Sequence, residues 1–146
     1  MALANAAKKL EAHEKEIAER VYLQRRKVAD FWLSLSGYEF EVEMMKLFEG
    51  DGYRVTLTKQ SGDGGVDLRL ELNGKKYIVQ CKAQKNPVGP HVVRDLFGVM
   101  NHENSDGGIV VTTATFTKGA QDFAHDKDIE LVDLEFIIGR AIAQSK

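Results

Sequence analysis

Asp67, Gln80 and Lys82 supply a carboxylate, an amide and an amine that one β-hairpin would bring within reach of each other. The stretch from Ser61 to Gln84 reads SGDGGVDLRLELNGKKYIVQCKAQ. Within it Val66, Leu68, Leu70 and Leu72 alternate with Asp67, Arg69 and Glu71, the period-two signature of a half-buried strand over Val66–Leu72. Lys75–Lys82 is the second strand. Between them lies Asn73-Gly74, whose tolerance of positive φ at both positions suits a two-residue type I′ loop. That loop sets Leu72 opposite Lys75, Leu70 opposite Tyr77 and Leu68 opposite Val79, and the same count puts Asp67 opposite Gln80 with Lys82 on the diagonal. Opposed Cβ atoms lie about 4.5 to 5.5 Å apart and diagonal ones about 7 to 8 Å, so all three side chains can converge on one ligand. Leu68, Leu70, Val79 and Tyr77 then face the core, and a slip of one residue would send Asp67 and Lys82 into it.

These residue types suit phosphodiester hydrolysis. Carboxylate oxygens accept a hard cation such as Mg²⁺, which keeps several waters and shares substrate phosphates. Such a metal polarises the phosphate and acidifies a bound water, and a neighbouring lysine orients that water and steadies the growing charge. The competing reading is an ordinary solvated hairpin face. Against it stands the SGDGG loop, whose glycines let the backbone approach another group closely just before the strand begins.

A further carboxylate comes from the helix before the hairpin. Ser36 is a candidate N-cap, and Phe40, Met44, Leu47 and Phe48 form one apolar stripe. Of three glutamates, Glu39 and Glu43 fall on the far side with Lys46, an ordinary solvated face. Glu41 falls at the edge of the buried stripe, where a partly desolvated carboxylate calls for a metal or a lysine as partner, unless it is a rim residue bonded to water.

The ordered set of Gly37-x-x-Phe40-Glu41, SGDGGVD at Ser61 to Asp67 and VQCKAQ at Val79 to Gln84 resembles the Mrr-like catalytic domain of the PD-(D/E)xK restriction-endonuclease superfamily. Val93 to Gly98 and Gly108 to Ala124 extend the likeness, which spans about residues 36 to 135. The resemblance implies an endonuclease that cuts DNA with Mg²⁺, for which Mn²⁺ substitutes, leaving 5′-phosphate and 3′-hydroxyl ends. It implies Asp67 as metal ligand, Gln80 and Lys82 as the second half-motif and Glu41 as the helical acid. Gln80 departs from the usual Asp or Glu, and the Mrr branch resembles this chain there. The Cys81 backbone carbonyl, between Gln80 and Lys82, is a further candidate ligand. Restriction, defence or DNA processing is the implied role. A Holliday-junction-type resolvase and a catalytically silent DNA-binding or oligomerisation module are the alternatives.

At 146 residues and 43% hydrophobic, the chain suits one core of ordinary size, and no apolar run approaches a bilayer span. The one cysteine, Cys81, alternates onto the core face and reads as a small hydrophobe, in keeping with a cytoplasmic location. The four histidines lack any zinc spacing. A net charge of −2 argues against bulk attraction of DNA, so a local basic rim is required. Lys75, Lys76 and Lys82 lie in the site elements, and the DNA-binding candidates are Lys59, Ser61, Gln84, Lys85, Arg94 and Lys118. Thr112, Thr113 and Thr115 are either phosphate contacts or ordinary strand and cap threonines.

The remaining pattern gives a restriction-endonuclease-like α/β fold with a mixed central sheet flanked by helices. Strands are expected at Tyr53–Thr58, Gly108–Thr113 and Ile129–Val132, and helices from Pro90, after Thr117 to about Ala124 and over Leu134–Ala143. Gly98 in mid-helix is expected to allow close packing on the sheet. Residues 1–35 precede this domain of 36–146 as one long helix, a connector or oligomerisation element. Its seven-residue steps, Leu3, Leu10, Ile17 and Phe31 with Val21, Val28 and Leu35 alongside, suggest a homo-oligomer, while Arg25-Arg26-Lys27 is a DNA-facing patch or a solvated face.

Overall fold

The computed structural model describes residues 1–58 and 65–146. Its centre is a mixed sheet of β1 (Arg54–Leu57), β2 (Leu68–Leu72), β3 (Lys75–Lys82), β4 (Gly107–Thr112) and β5 (Ile129–Val132), in that spatial order. The first three strands are antiparallel and the last three parallel. Parallel neighbours need crossovers, which α4 (Pro90–Glu103) and α5 (Lys118–Ala124) supply. Asn73 and Gly74 adopt φ of 52° and 80°, as a tight hairpin loop requires, and Leu72 faces Lys75, Leu70 faces Tyr77 and Leu68 faces Val79 as the sequence indicates.

Both faces of the sheet are covered. On one, α2 (Ala29–Leu33), α3 (Gly37–Gly50) and α6 (Leu134–Gln144) bring Trp32, Phe40, Met44, Leu47 and Ile137 against Leu68, Leu70, Val79, Ile109 and Val111. On the other, Val93, Leu96 and Met100 of α4 and Ala120 and Ala124 of α5 cover Ile78, Val110 and Ile129. Every residue of β4 is buried, which explains why Gly107–Thr112 reads as a continuous apolar run rather than an alternation. Close approach of α4 occurs at Gly108, where a Cβ would lie 2.6 Å from Met100 Sδ. Gly98 faces open space, so the expectation of close packing there is corrected: the small residue is needed on the strand, not on the helix.

Helix starts follow their caps. Ser36 and Glu39 form a reciprocal capping box on α3, Gly89 precedes Pro90 on α4, and the Thr117 hydroxyl accepts from Ala120 N–H on α5. The long N-terminal helix, in contrast, does not run to residue 35. The first helix, α1, covers Ala2–Arg25, and a turn at Arg26–Val28 separates it from α2. The break lets Trp32 bury completely, with its indole N–H donating to the Arg26 carbonyl at 2.7 Å and its ring edge-on to Phe31 and Phe40. Burial of that ring outweighs the local helix preference of Arg26, Lys27 and Val28. Arg26 is itself buried, its guanidinium over the Tyr22 ring.

Candidate active site

The site forms where β2 joins its neighbour. Leu68 pairs with Val79, yet Asp67 N–H also donates to the Val79 carbonyl at 2.8 Å. Two consecutive residues therefore face one, a β-bulge. This corrects the sequence register by one position at its last step: Asp67 does not sit as a regular partner opposite Gln80. The bulge turns its side chain toward the side of the sheet covered by α3, while Val66 packs in the opposite core. Thr58 fixes the bend from the other flank, its N–H donating to the Asp67 carbonyl at 3.0 Å and its hydroxyl to the Val66 carbonyl at 2.6 Å.

The Asp67 carboxylate takes the place of the missing ladder acceptor. One oxygen, Oδ2, accepts from Cys81 N–H at 2.7 Å and from the Gln80 side-chain amide at 2.9 Å. The same Gln80 nitrogen lies 3.3 Å from the Cys81 carbonyl. Two acceptors on one side fix which end of the amide carries nitrogen, and the amide oxygen points at Gly65. A Cβ on Gly65 would lie 2.4 Å from that oxygen, and φ there is +87°, so glycine is required twice over.

Glu41 reaches the same point from α3. Burial, then the charge of Asp67 and a hydrogen bond shared with it, push the Glu41 carboxyl up to about 7. Asp67 is also raised by burial, against the opposing pull of the Cys81 N–H, the Glu41 hydrogen bond and the Lys82 charge. Burial, reinforced by both carboxylates, pushes the Cys81 thiol up.

The donor set fits a hard cation. It consists of two adjacent carboxylates short of positive charge, one backbone carbonyl and one amide that a rotation of its plane would turn from donor to acceptor. No cluster of three His, Cys, Asp or Glu side chains occurs among the described residues. Lys82 lies partly buried at the end of β3. Its carbonyl is held by the Thr112 hydroxyl at 2.7 Å and by Thr113 N–H at 3.3 Å.

The other sequence candidates are more dispersed. Gln84 is anchored by its backbone N–H to the Thr113 hydroxyl at 3.2 Å and by its side chain to the Asn86 carbonyl at 2.8 Å, and Lys85 is exposed beside it. Arg94 lies over the Phe123 ring, and Lys118 pairs with Asp122 at 3.4 Å. Lys59 and Ser61 lie outside the described residues. Lys75 and Lys76 occupy the opposite end of β3 from Lys82 and are removed from the rim. Glu43 is not merely solvated: it accepts from the Tyr22 hydroxyl and pairs with Lys46. Thr58 was legible only as a strand residue, and Thr112 and Thr113 only as strand residues or phosphate contacts, because a hydroxyl that bonds a neighbouring backbone leaves no spacing signature.

Comparison with known proteins bears on the family and the fold. The restriction endonuclease family model Mrr_cat matches residues 32–139. The type IV methyl-directed restriction enzyme EcoKMrr of Escherichia coli is 31% identical over 115 residues, covering 73% of this chain and 38% of that enzyme. The chain thus spans less than two fifths of that relative. Among solved structures, the modification-dependent restriction endonuclease AspBHI aligns with TM-score 0.59 and 22% identity over 88% of this chain and 38% of its own. MspJI restriction endonuclease, solved with a 27-mer oligonucleotide, aligns with TM-score 0.57 and 23% identity over 73% of this chain and 28% of its own. The likeness to these structures concerns the fold, a mixed sheet flanked by helices. With a family model covering most of the sequence, the chain belongs to the Mrr_cat family of restriction endonucleases.

Proposed function

We propose that this chain is the cleaving module of a Mg²⁺-dependent endodeoxyribonuclease of QxK type, acting in the cytoplasm on DNA in restriction or defence. The observation that carries this reading is the meeting of Asp67, Glu41, the Gln80 amide and the Cys81 carbonyl at the β2 bulge, with Lys82 following on the same strand. Asp67 and Glu41 would hold the metal directly or through water, with Gln80 and the Cys81 carbonyl completing the protein's share. The bound metal would polarise the scissile phosphate and acidify a water.

The chain's own residues supply the remainder. The Cys81 N–H and the Gln80 amide fix Asp67 Oδ2. Thr112 and Thr113 hold the Lys82 backbone, so the lysine ammonium is presented from a fixed strand end to orient the attacking water and offset the charge growing on phosphate. Gln84, Lys85, Arg94 and Lys118 would contact the DNA backbone, and Lys59 and Ser61, which lie outside the described residues, remain candidates by sequence alone. The first helix acts as a connector or oligomerisation element. No described helix is long and apolar enough to cross a membrane. EcoKMrr is methyl-directed as a whole enzyme, and selection of modified DNA by this protein would rest on segments other than this site.

The test is incubation of the purified chain with supercoiled, linear and branched DNA, with Mg²⁺, Mn²⁺ or EDTA. Metal-dependent nicking that leaves 5′-phosphate ends supports the reading. Cutting confined to four-way junctions would make it a resolvase, and binding without cleavage at any metal concentration would make it a silent module.

A further inference from the structure

α1 has no buried residue, and its apolar side chains project into solvent. Leu3, Leu10, Ile17 and Val21 are 88, 58, 46 and 52% exposed, and Val28 just beyond the helix is 51% exposed. Leu3, Leu10 and Ile17 recur every seven residues, with Val21 on the adjoining row, which is the seam of a coiled coil; Val28 lies after the turn, in extended backbone. The contacts with the nuclease body lie on another face: Tyr22 bonds Glu43 of α3, and Arg26, directly opposite the seam, is buried. The seam therefore faces away from the body.

We propose that this seam pairs with the same helix of a second copy, in antiparallel orientation. This goes beyond the nuclease reading and does not rest on it. Charge decides between orientations. A parallel, in-register pair would stack Glu14 on Glu14 inside the seam and set Arg20 beside Arg25 of the other copy. An antiparallel pair centred near residue 19 sets Ile17 against Val21 of the second copy, with Leu10 beside the turn at Arg26–Val28 that ends the second copy's α1. It also sets Glu14 against Gln24, a polar layer in which amide can donate to carboxylate and fix the register. On its flank Glu11 meets Arg25, and Ala18 meets Ala18 at the two-fold axis. Arg20 meets Arg20, but each is held by its own Glu16 at 2.7 Å. Moving the register one heptad toward the N-terminus would place Glu14 against Ile17, which opposes it. Leu3 lies beyond the paired stretch.

The experiment uses the full chain in sedimentation velocity, with single-cysteine variants treated with a short bismaleimide. A dimer is expected, with Ala18→Cys cross-linking to itself and Leu10→Cys not doing so, since the two copies of residue 10 lie at opposite ends of an antiparallel pair. The parent, whose Cys81 lies at the edge of the core, serves as the uncross-linked control. The double variant Ile17→Asp, Val21→Asp should be monomeric, with the emission of the single buried Trp32 unchanged as proof that the body remains folded. A parent that stays monomeric at every concentration overturns the proposal. So does a dimer that cross-links at Leu10→Cys, or at neither position, or that survives the double substitution.

Discussion

Glu41 is held beside Asp67 in a partly desolvated corner, and the chemistry expected of the pair also makes it a local weakness of the metal-free protein. The Glu41 carboxyl is raised from 4.5 to about 7, so the folded state holds its proton more tightly than the unfolded chain. Its contribution to stability is therefore fully present below about pH 4.5 and is lost as pH rises to about 7. Glu41→Gln should flatten that loss and raise the melting temperature of the metal-free protein at pH 8, with little change at pH 4. The same substitution should lower cleavage at least ~tenfold, about 1.4 kcal/mol of transition-state stabilisation. Thermal melts across pH in EDTA, alongside nicking assays, read both effects. Glu39→Gln keeps a capping-box residue, and Glu43→Gln alters only the contact with Tyr22, so neither should change cleavage. Equal losses at all three positions would place Glu41 outside the site. Lys82→Ala should abolish nicking outright, since no other described side chain takes its position at the end of β3.

At the scale of elements, the hairpin was legible because its determinants are local. Asn73-Gly74 dictates the loop, and the alternation from Leu68 to Leu72 dictates the face. The bulge at Asp67 was not legible. A side chain that replaces a backbone acceptor, as Asp67 does for Cys81 N–H, leaves the residue alternation unchanged while shifting the pairing. The break after Arg25 was hidden for a related reason: it is caused by the burial of Trp32, a tertiary effect, in a stretch whose own composition favours helix. Glu41 and Asp67 were anticipated together as metal ligands, and their direct contact was not. Glycines show the same division between local and tertiary cause. Gly98→Ala, in an exposed helix position with nothing within 4 Å of the added Cβ, should stabilise the protein by about 1 kcal/mol in denaturant titration. Gly108→Ala should destabilise it, because Met100 and Leu96 stand within 3.2 Å of the new methyl group. A stabilising Gly108→Ala would mean that α4 can withdraw from the sheet without cost.

Across the whole molecule, a net charge of −2 has to be reconciled with a polyanionic substrate. Many cations are matched by the chain's own acids: Arg69 with Glu103, Arg140 with Asp51, Lys127 with Asp126 and Lys118 with Asp122. Lys75 and Lys76 stand at the far end of β3 from Lys82. Residues offered to a phosphate backbone near the site thus reduce, among the described ones, to Lys82, Lys85, Arg94 and Lys118, the last two already engaged with Phe123 and Asp122. Each phosphate neutralised on duplex DNA contributes about 0.9 to the slope of log affinity against log salt. Four such contacts among the described residues contribute about 3.6 to that slope and Lys59 would bring it to about 4.5, well short of the steep dependence of a strongly basic DNA-binding protein. Lys85→Ala should make the slope shallower by about 0.9, whereas Lys75→Ala should leave it unchanged. Fluorescence anisotropy of a labelled duplex between 50 and about 200 mM salt, in Ca²⁺ to permit binding without turnover, measures both. An equal change with Lys75→Ala would mean that DNA crosses the hairpin tip instead of the β3 exit. The end of β3 that carries Lys82 would then not be the path of the substrate, and the assignment of Asp67 and Glu41 to the scissile phosphate would fall with it.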